Sequence, residues 1–196
     1  MITRTKGEAV PKDYSEVVVD AAIRCINKFG IEKTTIEDIA KEAKLGRTTV
    51  YRTYRNRNEI LDAILLKRVK EIGEELAPIF SSYKSFDECL IKGSIITIKY
   101  TRQNKVLFTL IEHATDRGVD HFFVSPDSPV QELTLALYGP AFRSARKQGL
   151  LRKDLNDKDL ATWLRAVHLI LFLRDDLDER GQARFLKKFL VRSIIS

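Results

Sequence analysis

The sequence is short of the residue types that most enzymatic chemistry requires. Its 196 residues include two cysteines, Cys25 and Cys89, and three histidines. Two thiols so far apart suggest neither a disulfide framework nor a spaced metal site. The best polar cluster is Glu112-His113-x-x-Asp116-x-x-x-x-His121. His113 and Asp116 share a helix face there, but His121 lies beyond an expected helix end at Gly118, so the third metal ligand is missing. There is no glycine-rich phosphate loop, nucleophile elbow or paired Cys-x-x-Cys. The expectation is therefore no enzymatic activity, no cofactor and no metal.

Long hydrophobic runs are also lacking. The opening stretch, Met1 to Gly7, has no apolar core and does not read as a secretory signal. Near the C-terminus the longest uncharged apolar run is Ala166 to Leu173, closed by Arg174. It is too short to span a bilayer. A cytoplasmic protein with no membrane partner is expected. No segment alternates with period two between hairpin turns, and no internal repeat or low-complexity tract is found.

What remains is helical periodicity. Hydrophobic residues make up 44% and charged residues 31%, enough for a core and a soluble surface. Val17, Ala21, Ala22, Cys25, Ile26 and Phe29 form one stripe that stops at Gly30. Thr35 opens a short helix with Asp38 as an acidic capping-box partner, and Ile36, Ile39, Ala40 and Ala43 form its buried face. A Lys44-Leu45-Gly46 turn leads into a very short helix, Arg47 to Arg55. Asn56, with Glu59 three residues on, caps a long helix expected to end near Pro78. Five more helices are expected over 86–103, 106–117, 130–148, 157–173 and 180–195, with a kink at Pro140.

The charge is uneven. Residues 1–57 carry twelve Lys/Arg against eight Asp/Glu and so hold over half of the net +7. Between Lys44 and Arg57 there are five basic residues and no acid. Two short helices joined by a glycine-containing turn make a helix-turn-helix, whose second helix enters the major groove. The first-turn residues Arg47, Thr48 and Thr49, with Arg52, suit base edges. Thr35, Lys44, Tyr51 and Arg57 suit phosphates. Arg57 opposes the dipole of its own helix and so calls for an anionic partner, which a phosphate would supply. The N-terminal arm, with Arg4, Lys6 and Lys12, either adds phosphate or minor-groove contacts or is a solvated tail.

The stretch from Tyr14 to Ile64 resembles the DNA-binding head of the tetracycline-repressor (TetR) family. The resemblance rests on AAIRCINKFGIEKTT (21–35), IEDIAKEA (36–43) and TVYRTYRNRNEIL (49–61). It implies that Thr35 and Tyr51 contact phosphate and that Arg57 replaces the family's usual lysine. Lys44 stands where the family usually has glycine, Gly46 where it often has serine, and Tyr54 where it prefers phenylalanine.

The rest of the chain is less specific. Only 148–164, QGLLRKDLNDKDLATWL, matches the family's loose pattern there. The helix over 157–173 is apolar on most sides and so needs cover on more than one face. A homodimer is expected through residues 157–195, with Leu164, Val167, Leu171, Phe185, Phe189 and Leu190 in the interface. Phe108, Ile111, His113, Phe122, Tyr138, Phe142 and Trp163 line either a ligand pocket or an ordinary core. The resemblance favours a pocket for a small, hydrophobic effector.

The expected architecture is all-α. Residues 1–56 form the arm and a three-helix helix-turn-helix head. Residues 57–196 form a helical effector-binding and dimerisation domain, joined through the long helix. The expected function is that of a ligand-responsive transcriptional regulator, a repressor, binding a palindromic double-stranded DNA operator. The rival is an architectural or partner-controlled DNA-binding protein with no small-molecule effector.

Overall fold

A computed structural model describes residues 13–113, 124–125, 128 and 130–196, with the side chains of 111–113 excepted. The described residues form α1 (Ser15–Phe29), α2 (Ile36–Glu42), α3 (Arg47–Thr53), α4 (Arg57–Ser82), α5 (Phe86–Gln103) and α6 (Lys105–His113). They continue with α7 (Gln131–Lys147), α8 (Asp157–Phe172), α9 (Glu179–Phe185), a π-helical stretch (Leu186–Val191) and the single turn α10 (Arg192–Ile194). An isolated bridge pairs Leu151 with Ile195. The chain divides into two compact units between Ile64 and Leu65, inside α4.

In the first unit, α1 contributes Val18, Ala21, Ala22, Cys25 and Ile26 to the core. Ile36, Ile39 and Ala40 of α2, Val50 of α3 and Ile60 and Ile64 of α4 complete it. Burying the valine and isoleucine side chains is worth about 1.5–3 kcal/mol each, which lets helices of seven residues persist.

The second unit is built around Leu90, Leu107, Tyr138, Phe142, Leu160, Leu164, Leu171 and Leu186, all essentially inaccessible. Two expectations change here. Instead of ending near Pro78, α4 runs through it to Ser82. Proline costs a helix interior about 3 kcal/mol or more. Buried Leu76 and Phe80 flank it and offset that cost. Phe80 also meets Tyr138 edge-to-face at 4.7 Å. The expected single C-terminal helix over 180–195 instead switches to π geometry at Leu186. The wider turn keeps Leu186, Leu190, Val191 and Ile194 all buried.

Candidate nucleic-acid interface and ligand cavity

The helix-turn-helix is fixed by local chemistry. The Thr35 hydroxyl accepts the Asp38 N–H at 3.2 Å, and Asp38 accepts the Thr35 N–H at 3.0 Å. This is the reciprocal capping box expected from the sequence. Donation by the Thr35 hydroxyl, and next by the Thr35 N–H, holds the Asp38 carboxyl below the usual carboxylate range. The Thr35 hydroxyl also donates to Asp38 at 2.6 Å. A phosphate contact by Thr35 therefore has to displace that bond.

The turn closes by a Schellman pattern. Leu45 N–H reaches Ala40 O at 2.9 Å, and Lys44 N–H reaches Lys41 O at 3.1 Å. Lys44 occupies the left-handed position at φ 55°, which glycine takes without strain. Gly46 then caps α3 through its carbonyl, which accepts from Thr49 N–H at 2.9 Å. Fully buried Val50 sets the rotation of α3. That rotation turns Arg47, Thr48, Tyr51 and Arg52 outward and leaves Thr49 half-buried.

Two arginines have partners that the sequence did not announce. Arg57 donates from Nε to Thr34 O at 3.0 Å and from Nη2 to Ile31 O. Its guanidinium ties down the loop between α1 and α2, so backbone carbonyls supply part of the partnering that its position calls for. Arg47 forms an ion pair with Glu37 of α2, both side chains being more than half exposed. Lys44, Tyr51 and Arg52 present their side chains to solvent.

In the second unit a cavity of about 90 Å³ opens between α4, α5, α7 and α8. Its apolar wall includes Ile72, Leu76, Ile98, Leu133, Leu137 and Phe172. At Gly73 a Cβ would collide with the end of the Leu133 side chain, which occupies the space the glycine leaves. Polar groups enter from Thr97, Thr101, Thr134, Tyr138, Arg165 and His168. Arg165 is buried and donates to Ser125 O at 3.0 Å and to Gln131 Oε1. His168 Nε2 lies 2.8 Å from Ser94 Oγ. Burial, with a smaller push from Arg165, lowers the imidazole to about 3, so it is neutral at physiological pH. Burial pushes the Tyr138 phenol above its usual range. Burial likewise raises the Cys89 thiol to about 11, which keeps it protonated and unreactive.

Of the seven pocket candidates, only Tyr138 is seen lining this cavity. Phe108 stands behind Phe172, ring centroids 5.6 Å apart. Phe142 is fully buried and stacks on Tyr138 at 6.3 Å. Trp163 faces outward, 40% exposed, and donates from Nε1 to Ser193 Oγ at 2.9 Å. The side chains of Ile111 and His113, and all of Phe122, lie outside the described residues, as do Asp116, His121 and the N-terminal arm. The sequence reading missed Arg165, His168 and the three threonines. The available signal was Arg165 and His168, three residues apart in the otherwise apolar stretch from Trp163 to Phe172.

The expected interface residues also divide. Leu164, Val167, Leu171 and Leu190 are buried within the single chain. The outward apolar face consists of Trp163, Ile170, Leu173 and Phe189, with Leu173 70% exposed. Half-buried Phe185 packs on Phe189 at 4.8 Å. Among the described residues no three His, Cys, Asp or Glu side chains converge as a metal site, and no helix is long and apolar enough to cross a membrane.

Residues 18–64 match the family model described as bacterial regulatory proteins, tetR family. Over 122 residues the chain is 33% identical to the probable HTH-type transcriptional regulator ArpR of Pseudomonas putida, covering 56% of this chain and 57% of ArpR. It is 32% identical over 122 residues to the HTH-type transcriptional regulator TtgR of the same species, with the same coverage. The chain spans about half the length of the curated relatives it matches. Among solved structures, Thermus thermophilus FadR, a TetR-family repressor in complex with lauroyl-CoA, aligns at TM-score 0.60 and 21% identity, over 89% of this chain and 90% of FadR. RolR in complex with resorcinol aligns at TM-score 0.66 and 13% identity, over 92% of this chain and 86% of RolR. At these identities the likeness to solved structures is one of fold.

Proposed function

We propose that the chain, whose residues 18–64 match the tetR-family model and which resembles ArpR, is a homodimeric repressor of that family, released from a palindromic operator by a small effector. The observation that carries the DNA reading is the outward face of α3. It sets Thr48, Tyr51 and Arg52 in solvent beside Lys44, with no acid between Lys44 and Arg57. Thr48, Arg52 and Arg47 read base edges, while Lys44 and Tyr51 hold phosphates. Thr49, half-buried, reaches a base only through its outward side, and Thr35 must give up its bond to Asp38. Arg47 exchanges Glu37 for a base. That exchange is inexpensive because exposed ion pairs contribute about 0–1 kcal/mol.

An outward apolar face supports the same reading. Trp163, Ile170, Leu173 and Phe189 form an apolar face that a second copy would cover, and two heads suit half-sites one helical turn apart. The cavity supports the effector. Its lining includes Val69, Ile72, Gly73 and Leu76 of α4, the helix that also supplies Ile60 and Ile64 to the head. FadR and RolR were both solved with bound small molecules. An effector lowers operator affinity only by its differential affinity for the two states.

The test is recovery of genomic fragments by the purified protein at near-physiological salt, followed by sequencing. The reading requires a few enriched fragments sharing an inverted repeat. Uniform recovery of all fragments would replace it with an architectural role.

A further inference from the structure

We infer that the cavity and an adjoining groove are one ligand site divided by the Leu137 side chain, and that this site takes an uncharged aromatic molecule that donates a hydrogen bond through O–H or N–H. The inference rests on the effector reading above and supplies its ligand class and its specificity-determining residue.

Size is the first argument. The cavity holds about 90 Å³. An apolar cavity of about 150 Å³ is known to hold benzene, and small-molecule sites usually run to about 300–1,000 Å³. The cavity by itself is too small for an effector. Beside it lies a groove of about 630 Å³ between the end of α4, the start of α5 and the middle of α7. Leu137 lines both spaces. Along α7, Thr134 and Tyr138 face the cavity, Ala136, Pro140, Ala141 and Ser144 face the groove, and Leu137 sits where the two stripes meet. Leu137 is only half-buried, and two of its four helical neighbours, Thr134 and Ala141, are small, so a rotamer change at Leu137 is the movement that would join the two spaces.

Hydrogen bonding sets the ligand's polarity. Thr101 donates its hydroxyl proton to Thr97 O at 2.9 Å, and Thr134 donates to Val130 O at 2.9 Å. Thr97 donates to Gly93 O at 2.8 Å, so the Tyr138 phenol, 3.3 Å away, donates to Thr97. These oxygens offer lone pairs, not protons, to a ligand. Pro140 has no N–H, so the Ala136 carbonyl on the groove side lacks its helical donor. Arg165 brings N–H donors into the same cavity, but the acceptors lie on both sides of Leu137 and so favour a ligand that can donate. Buried Arg165 opposes a cationic one in the cavity, and in the groove lining the Asp87 carboxylate is accompanied by Lys84. Phe172 on the cavity side and Phe80, Tyr83 and Phe86 on the groove side supply aromatic walls.

The test uses N-phenyl-1-naphthylamine, an uncharged N–H donor whose fluorescence rises on burial, titrated into the full chain. Four variants accompany the wild type, each checked by thermal melting. Leu137→Ala removes the partition and should bind several-fold tighter. Leu137→Trp should bind at least tenfold more weakly. Thr134→Phe fills the cavity, and Ser144→Trp blocks the groove from an exposed position. Each should weaken binding at least tenfold, because the ligand occupies both halves. The N-methylated probe, which has no donor, should bind several-fold more weakly to wild type. Unchanged affinity in the Leu137 variants overturns the inference. So does loss in only one of Thr134→Phe and Ser144→Trp, a methylated probe that binds equally well, or a wild type that binds neither probe. If the variants behave as expected but the probe never changes recovery of DNA fragments, the composite site stands and the effector reading falls.

Discussion

The head displays its candidate site on the outside of one short helix, whereas the body encloses its own among four. In the head, five elements of sequence do the positioning: a capping box, a Schellman turn, a glycine N-cap, one buried valine and the absence of acid from Lys44 to Arg57. All lie within about two dozen residues of one another in the sequence. In the body, the cavity joins Gly73, Thr97, Leu137 and His168, which only packing brings together. The two regions nonetheless treat arginine alike. Arg57 in the head binds the carbonyls of Ile31 and Thr34, and Arg102 in the body binds Leu171 O, Phe172 O and Arg174 O at 2.8–3.0 Å. The second is a cation closing the C-terminus of α8, where the helix dipole favours it. A basic residue is therefore not evidence of an anionic ligand until its carbonyl neighbours are known.

The largest expected effect separates the two faces of α8. Leu171→Ala opens a hole in the body and should cost about 2–5 kcal/mol in chemical denaturation. Ile170→Asp, on the outward face, should leave the helical spectrum intact and instead shift sedimentation toward monomer. If both substitutions only destabilised the fold, the outward face would not be an interface.

His168 provides a pH-dependent contrast. Its folded pKa lies below its unfolded value of about 6.5, so the unfolded state binds the extra proton. Stability from this group is complete above pH 6.5 and falls as pH drops toward 3. By linkage the loss at pH 5 is about 2 kcal/mol. The depressed carboxylates Asp38, Glu88, Asp154 and Asp176 act below their usual range, near pH 4 and lower. Denaturation at pH 7.5 and pH 5 should show the drop in wild type and its absence in His168→Gln.

Arg57→Ala tests the head's inward arginine. It should lower stability by about 1–3 kcal/mol through the orphaned carbonyls. The slope of DNA affinity against salt should stay nearly unchanged. A slope flattened by about one unit, with stability retained, would return Arg57 to the phosphate role.

Lys44→Gly should have the smallest effect, and in opposite directions. Relief of the left-handed backbone should raise stability by about 1 kcal/mol. Loss of the cation should weaken binding to all duplexes alike and flatten the salt slope by about one unit. Melting and affinity measured on the same sample would show both.

The helices were legible because their signals are short-range. Phe86–Gln103 emerged with the limits expected from apolar spacing alone. Gly30 and Gly149, both at positive φ, follow the helices they terminate. The errors arose where burial outweighed local preference. Pro78 stays helical because Leu76 and Phe80 are buried around it. The C-terminal helix adopts π geometry because four apolar residues share one core. Periodicity could identify α8 as apolar on most sides, but it could not say which side the rest of the chain covers. Leu164, Val167, Leu171 and Leu190, expected at the interface, are buried within the single chain.

The sequence alone determined the helical class, the helix-turn-helix, its capping and the basic outward face of α3, since each depends on residues a few positions apart. Tertiary structure alone decided that Arg57 turns inward, that Arg47 meets Glu37, that Trp163 faces outward and that Arg165 and His168 reach a cavity. Those outcomes depend on which distant carbonyls, carboxylates and side chains packing brings within about 3 Å, the range over which a hydrogen bond forms.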